Sequence, residues 1–148
     1  MDKMFSQCYN LTSIPQLNTS SVTRMYGMFD KCEKLTSIPQ LDTSNVNSVY
    51  DIVSYCNNIT ELGGFENLGQ GYSTTSSANY SYYRLNLSSL TKLTEQSLIN
   101  VLNNLYDIAT KGCNTQSVVL GSTNLAKLTS EEGQAALEQA TAYGWTVS

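Results

Sequence analysis

The sequence predicts an α/β repeat solenoid, with short β-strands from stacked copies of one unit and a strand-turn-helix cap at the carboxy-terminal end. Three observations carry this expectation. The stretch CEKLTSIPQLDTSNV at 32–46 restates CYNLTSIPQLNTSSV at 8–22, an interval of 24 residues. The apolar positions keep that interval into a third copy while the polar letters drift. A longer period, of 35 residues, then takes over after residue 84.

The copies occupy residues 1–68. Cys8, Cys32 and Cys56 stand one interval apart, as do Phe5, Phe29 and Val53; Leu11, Leu35 and Ile59; Ile14, Ile38 and Leu62; and Leu17, Leu41 and Phe65. A position that stays apolar while its identity changes belongs to a core. One copy is too small to hide its own apolar face, so the copies must stack. Within a copy, Leu11 to Pro15 reads as a short strand with Leu11, Ile14 and Leu17 turned inward. Asn18, or Asp42 one copy on, starts a turn through local side-chain bonds to the backbone. Val22 to Met25 reads as a second extended piece. Met25, Met28, Phe29 and Cys32 then share one face of a helical turn.

Residues 69–83, GQGYSTTSSANYSYY, leave the register and have the composition of a loop. Residues 84–148 read as two 35-residue strand-turn-helix units, in which Leu85, Leu90, Lys92, Leu93, Thr94 and Leu102 recur as Leu120, Leu125, Lys127, Leu128, Thr129 and Leu137. Thr94 opens a helix through about Lys111, with Leu98, Val101, Leu102, Leu105 and Ile108 as its apolar stripe. Gly112 sits where a left-handed terminating glycine belongs. Thr129-Ser130-Glu131-Glu132 is a capping box for a helix to about Tyr143, and WTVS closes the chain as a strand.

Composition excludes several function classes. Charged residues make up only 14% of the chain, net charge is -4, and no basic stripe suggests a nucleic-acid partner. No apolar run reaches the roughly 18 residues that span a membrane, so no membrane insertion is expected, and MDKMFSQC lacks an apolar signal core. Histidine is absent, which removes Ser-His-Asp, Cys-His and His-ligated metal chemistry. GGFENLGQG at 63–71 lacks the spacing of a phosphate-binding loop. Asp42, Asp51, Glu61 and Glu66 are scattered over turns, and nothing pairs them as acid and base. Equivalent cysteines on neighbouring copies would stand about 4.8 Å apart, beyond the Cβ separation a disulfide prefers. A row of three is also not a four-ligand zinc set. The expectation is a buried, reduced thiol ladder at Cys8, Cys32 and Cys56, with Cys113 as a further buried or half-buried thiol. No cofactor and no metal are expected, and no enzymatic activity.

The pattern Met28-Phe29-x-x-Cys32, then Leu35-Thr36-Ser37-Ile38-Pro39 and Leu41-Asp42-Thr43-Ser44-Asn45-Val46, resembles the BspA-like leucine-rich repeats of mycoplasmal surface lipoproteins and of gut-bacterial surface and prophage proteins. The resemblance covers 1–68. The third copy departs from it, with Gly63 in place of proline and Glu66-Asn67-Leu68 in place of Asp-Thr-Ser. It implies a right-handed solenoid of leucine-rich-repeat type and a non-enzymatic adhesion module, at the cell surface or extracellular. The alternative it implies is a structural or host-recognition part of a phage tail, hence virion-associated. The tail at 84–148 is similar to the closing segments of such proteins.

A binding face follows from the inward positions. If Ile14 and Leu17 point in, Ser13, Pro15 and Gln16 face out, and so do Ser37, Pro39 and Gln40 on the next copy. They form a low-charge row, ended by Glu61 and Gly63, suited to a protein or glycan surface. Tyr80, Tyr82 and Tyr83, with Tyr72 nearby, admit two readings: rigid aromatic anchors of that face, or rings covering the junction between the two repeat types. Met1 shares the repeat phase of Met25. The chain therefore begins inside a copy, and is expected to be the carboxy-terminal part of a longer array, or to have an open edge available to a partner or for self-association, unless the start at a repeat Met is chance.

Overall fold

The computed structural model describes residues 1–73 and 84–148. In its first part, equivalent residues of neighbouring copies lie side by side. Strand β1 (Ser37–Ile38) pairs in parallel with β3 (Glu61–Leu62), with Ser37 opposite Glu61. Likewise β2 (Leu41–Asp42) pairs with β4 (Phe65–Glu66), with Leu41 opposite Phe65. Outside the strands, single backbone bonds keep the same register. The N–H groups of Lys3, Phe5 and Gln7 donate to the carbonyls of Tyr26, Met28 and Asp30, and those of Gly27, Phe29 and Lys31 to Tyr50, Ile52 and Ser54. Thr60 N–H reaches Thr36 O at 2.9 Å, and Thr36 N–H reaches Thr12 O at 3.1 Å. The repeated threonines have a reason to repeat. Thr19 and Thr43 are buried, and each donates its hydroxyl to the next copy, to Asp42 O and Glu66 O.

Three local expectations are corrected. Leu11 to Pro15 forms no strand, although Ser37–Ile38 one copy later does. Gly63 N–H donates to Ile38 O at 2.9 Å, but the equivalent residue one copy earlier is Pro39, which has no N–H to offer Ile14. Val22 to Met25 is not a strand either; Val22 N–H closes a turn on Thr19 O, and Met25 N–H goes to Ser48 O. The Met-Phe segment is a run of turns, because each copy puts two residues at positive φ: Lys3 and Gln7, Gly27 and Lys31, Asp51 and Tyr55. Alternate N–H groups, those of Gly27, Phe29 and Lys31, go to the neighbouring copy, while those of Met28, Asp30 and Cys32 close turns on the carbonyls three residues back. Its apolar face is still buried as expected, with Met25, Met28, Phe29 and Cys32 at 0% exposure.

A fourth correction concerns the first copy. Leu41, Leu35 and Ile38 are buried, whereas Phe5, Leu11, Ile14 and Leu17 are only half-buried and Cys8 is exposed. In this chain the first copy packs against a neighbouring copy on one side only, whereas the second has one on each side.

The carboxy-terminal part is built from β5 (Leu85–Asn86), α1 (Glu95–Asn103), α2 (Ile108–Lys111), β6 (Gln116–Val119), α3 (Ser122–Leu125), α4 (Glu131–Ala142) and β7 (Trp145–Val147). The strands form a parallel sheet in the order β5-β6-β7. Leu85 pairs with Val118, two residues before its 35-residue equivalent Leu120. A shift of two leaves the same face inward, and Leu85, Val118 and Leu120 are all buried. The single helix expected to Lys111 is two. Between them Leu105 bridges to Leu68, and Tyr106 N–H donates to Leu68 O, which ties the segment to the third copy. Gly112 ends α2 at φ 73°, as expected. The cap of α4 is Ser130 rather than Thr129: Ser130 Oγ accepts from Gly133 N–H, while the Glu95 carboxylate takes the N–H groups of Thr129 and Ser130.

Candidate groove between the repeats and the first helix

The first helix meets the third copy through side chains that replace a backbone. Thr94 N–H continues the inter-copy ladder onto Thr60 O at 3.1 Å. One turn later, Ser97 Oγ accepts from Leu62 N–H at 3.0 Å, and Asn100 Nδ2 donates to Leu62 O at 3.2 Å. A further copy would offer a strand there; α1 supplies a hydroxyl and an amide. Asn104 Nδ2 donates to Asn100 O and its Oδ1 accepts from Gln40 Nε2 at 2.8 Å, so the second copy is tied to the same helix. Gly64 lies tight under α1: a Cβ there would stand 2.9 Å from Asn100 O. Gly63 explains the third copy's departure from proline, since a Cβ there would meet Gln40 N at 2.3 Å.

This arrangement leaves a groove of about 490 Å³. One wall is Ser37, Ile38 and Pro39 with Ile14 beside them, the floor is Glu61 to Gly63, and the other wall is Thr94, Gln96, Ser97 and Asn100. Glu61 is the one charged side chain among these lining residues. Its carboxylate is exposed and takes no hydrogen bond or ion pair among the described residues.

The sequence-predicted face divides here. Ser13, Pro15, Gln16 and Gln40 are exposed, and Gln16 Nε2 donates to Gln40 O at 2.7 Å, which links the two copies along the row. Ser37 and Pro39 are half-buried, because α1 rises beside them and turns a flat row into a wall. Tyr80, Tyr82 and Tyr83 lie outside the described residues. Tyr72 is packing: it is 2% exposed, its ring sits 6.0 Å from that of Trp145, and Lys111 Nζ donates to its carbonyl. Gln96 and Asn100 were not anticipated as site residues. The available signal was the amide spacing Gln96, Asn100, Asn104 along one helix face, opposite the Leu98–Leu102 stripe.

The thiols are a separate feature. Cys32 and Cys56 are buried, and each donates its S–H to the carbonyl of the preceding copy, Phe5 O at 3.0 Å and Phe29 O at 2.9 Å. They are therefore more than small apolar fillers. Burial pushes the Cys32 thiol up to about 11 and the Cys56 thiol up to about 12. Cys113 is half-buried. No cluster of His, Cys, Asp or Glu suited to a metal ion occurs among the described residues, and no helix there is long and apolar enough to cross a membrane.

A family model described as "Mycoplasma protein of unknown function, DUF285" matches residues 1–95, which takes in all three 24-residue copies and runs on to the start of α1. No curated protein and no solved structure matches the chain.

Proposed function

We propose, from the premise that this chain belongs to the DUF285 family of mycoplasma proteins, that it is a non-enzymatic binding module of a bacterial cell-surface protein. We read the 24-residue copies as BspA-like leucine-rich repeats wound into a right-handed solenoid, with residues 84–148 as the cap. The observation that carries the reading is the continuous outer row, Ser13, Pro15 and Gln16 on one copy and Ser37, Pro39 and Gln40 on the next, opening into the groove under α1. Side chains repeated at a fixed interval on a rigid backbone suit recognition of an extended surface. The groove offers amides, hydroxyls and one carboxylate, a set for contact rather than bond-making.

The test is adhesion. The protein immobilised on beads is offered to intact epithelial cells, purified extracellular-matrix proteins and a glycan array, alongside Gln96→Arg, which fills the groove from an exposed helix position. Saturable binding, cut at least about fivefold in the variant at unchanged melting temperature, is the expected result. Absence of saturable binding to every surface, or a native antigen that sediments with phage particles rather than labelling intact cells, overturns it.

A further inference from the structure

We infer that the groove receives a protonated primary amine on an aliphatic stem, the side chain of a lysine presented by a partner protein. This deepens the binding reading above and rests on it. The polar groups of the groove are not evenly available. Its amide donors are each partly engaged: one N–H of Asn100 Nδ2 is on Leu62 O and one of Gln96 Nε2 is on Asn100 Oδ1 at 3.1 Å, while the Ser97 hydroxyl sits among Thr94 Oγ1, Thr60 O and Leu62 N–H. Three acceptors are free: both oxygens of Glu61 and Oε1 of Gln96 have no partner among the described residues, and Ser37 Oγ is open to either role. An ionised carboxylate accepts and cannot donate, so the free oxygens of Glu61 favour a ligand that donates. An ammonium group has three donors and no acceptor, whereas each sugar hydroxyl also seeks a donor.

Charge and shape agree. Glu61 is the one formal charge in the lining and no lysine or arginine balances it there, so a cation is favoured over an anion. Ile14, Ile38 and Pro39 give the wall an apolar strip on which a four-carbon stem can lie while its head reaches the carboxylate. The amino-terminal turn of α1 brings partial positive charge toward the groove. That charge is opposed by Glu95 in the same turn and by Thr94 Oγ1, which accepts from Ser97 N–H.

Amide resonances of the ¹⁵N-labelled protein report the test directly. Nα-acetyl-lysine methylamide is titrated beside Nα-acetyl-norleucine methylamide, N-acetylglucosamine and sodium sulfate, on the natural protein and on Glu61→Gln. Glu61 is exposed and has no partner to lose among the described residues, and an unchanged melting temperature confirms that the variant is folded. The expected result is saturable shifts at Ser37, Glu61 to Gly63 and Gln96 to Asn100 with the lysine derivative alone, weakened at least about fivefold in Glu61→Gln and by added salt. Equal response to norleucine, undiminished response in Glu61→Gln, or no response to the lysine derivative overturns the inference. A response to the sugar alone overturns it while leaving the binding reading intact. Silence towards all four ligands, together with no saturable adhesion, removes both.

Discussion

The two parts of this chain solve one problem with different means. In residues 1–68 a copy spends 24 residues and forms no helix; its turns hold two positive-φ residues each, and alternate N–H groups of those turns reach across to the next copy. In residues 84–148 a unit spends 35 residues. The added length, about three helical turns, holds helices that bond within themselves and bury an apolar stripe, such as Leu98, Val101 and Leu102 of α1. The contrast shows where stability comes from. A copy in the first part depends on its neighbours for hydrogen bonds and for burial, so its contribution varies with position along the stack. A unit in the second part brings part of its own support. Where the two meet, α1 offers Leu62 a hydroxyl and an amide in place of a neighbouring strand.

The sharpest way to break this comparison is to truncate equivalent leucines. Leu41 is fully buried between Leu17 and Phe65, while Leu17 is half-buried. Leu41→Ala should cost about 2–5 kcal/mol, and Leu17→Ala less than half as much, by denaturant unfolding. Equal losses would mean that burial does not grade along the stack.

The junction comes next. Ser97→Ala removes the acceptor of the Leu62 N–H and a donor to Thr60 O, and should cost about 1–3 kcal/mol. Ser48→Ala is the counterpart within the copies: its hydroxyl is buried with no partner among the described residues, so its removal should be neutral or stabilising. A larger loss at Ser48 than at Ser97 would reverse the roles of junction and repeat.

A smaller effect separates the parts by pH. The buried thiols of Cys32 and Cys56, raised to about 11 and about 12, stay protonated in the fold after the unfolded chain has begun to ionise. Their stabilisation is complete below the unfolded thiol value, near 8.5, and is lost as pH rises toward the folded values. The Cys32→Ala/Cys56→Ala double variant should therefore lose less melting temperature between pH 7.5 and about 10 than the natural protein. In acid both parts weaken. The Ser44 hydroxyl and N–H hold the Asp42 carboxyl below its usual value, and the N–H and hydroxyl of Ser130, with the N–H of Thr129, do the same for Glu95. Lowered carboxyl values stabilise above the unfolded value, and that contribution disappears as pH falls through the folded one.

The mildest test leaves the protein intact. Under native labelling with a thiol reagent, Cys8 should react first, Cys113 more slowly, and Cys32 and Cys56 only after unfolding. Rapid labelling of Cys56 would show that the copies open under native conditions.

Much of the inter-copy register was legible in the sequence, because a position that must face the same neighbour in every copy keeps its chemistry: Leu17, Leu41 and Phe65, or Thr19 and Thr43. The glycine stop at Gly112, the last helix and the closing strand were legible for a similar reason, since caps and apolar stripes are local. The exposure of Cys8 was not, because periodicity assigns a residue its face and says nothing about whether a neighbour covers it. The break between α1 and α2 was not either. The apolar stripe runs unbroken through Leu105, and a bridge to Leu68, far away in sequence, interrupts the helix. Nor was the groove. Ser37 and Pro39 could be read as outward, but the rise of α1 beside them is a tertiary event.

By itself, then, the sequence determined the interval, the inward and outward alternation within it, and the row of small and amide side chains. Those follow from local spacing and from the demand that equivalent residues meet equivalent surroundings. Only the tertiary structure decided that the row becomes a groove, that Asn100 and Gln96 each spend an N–H within it, and that Glu61 has no partner there among the described residues. A hydrogen bond is allocated between specific atoms brought together from distant parts of the chain, and no one-dimensional pattern records which of them are left over.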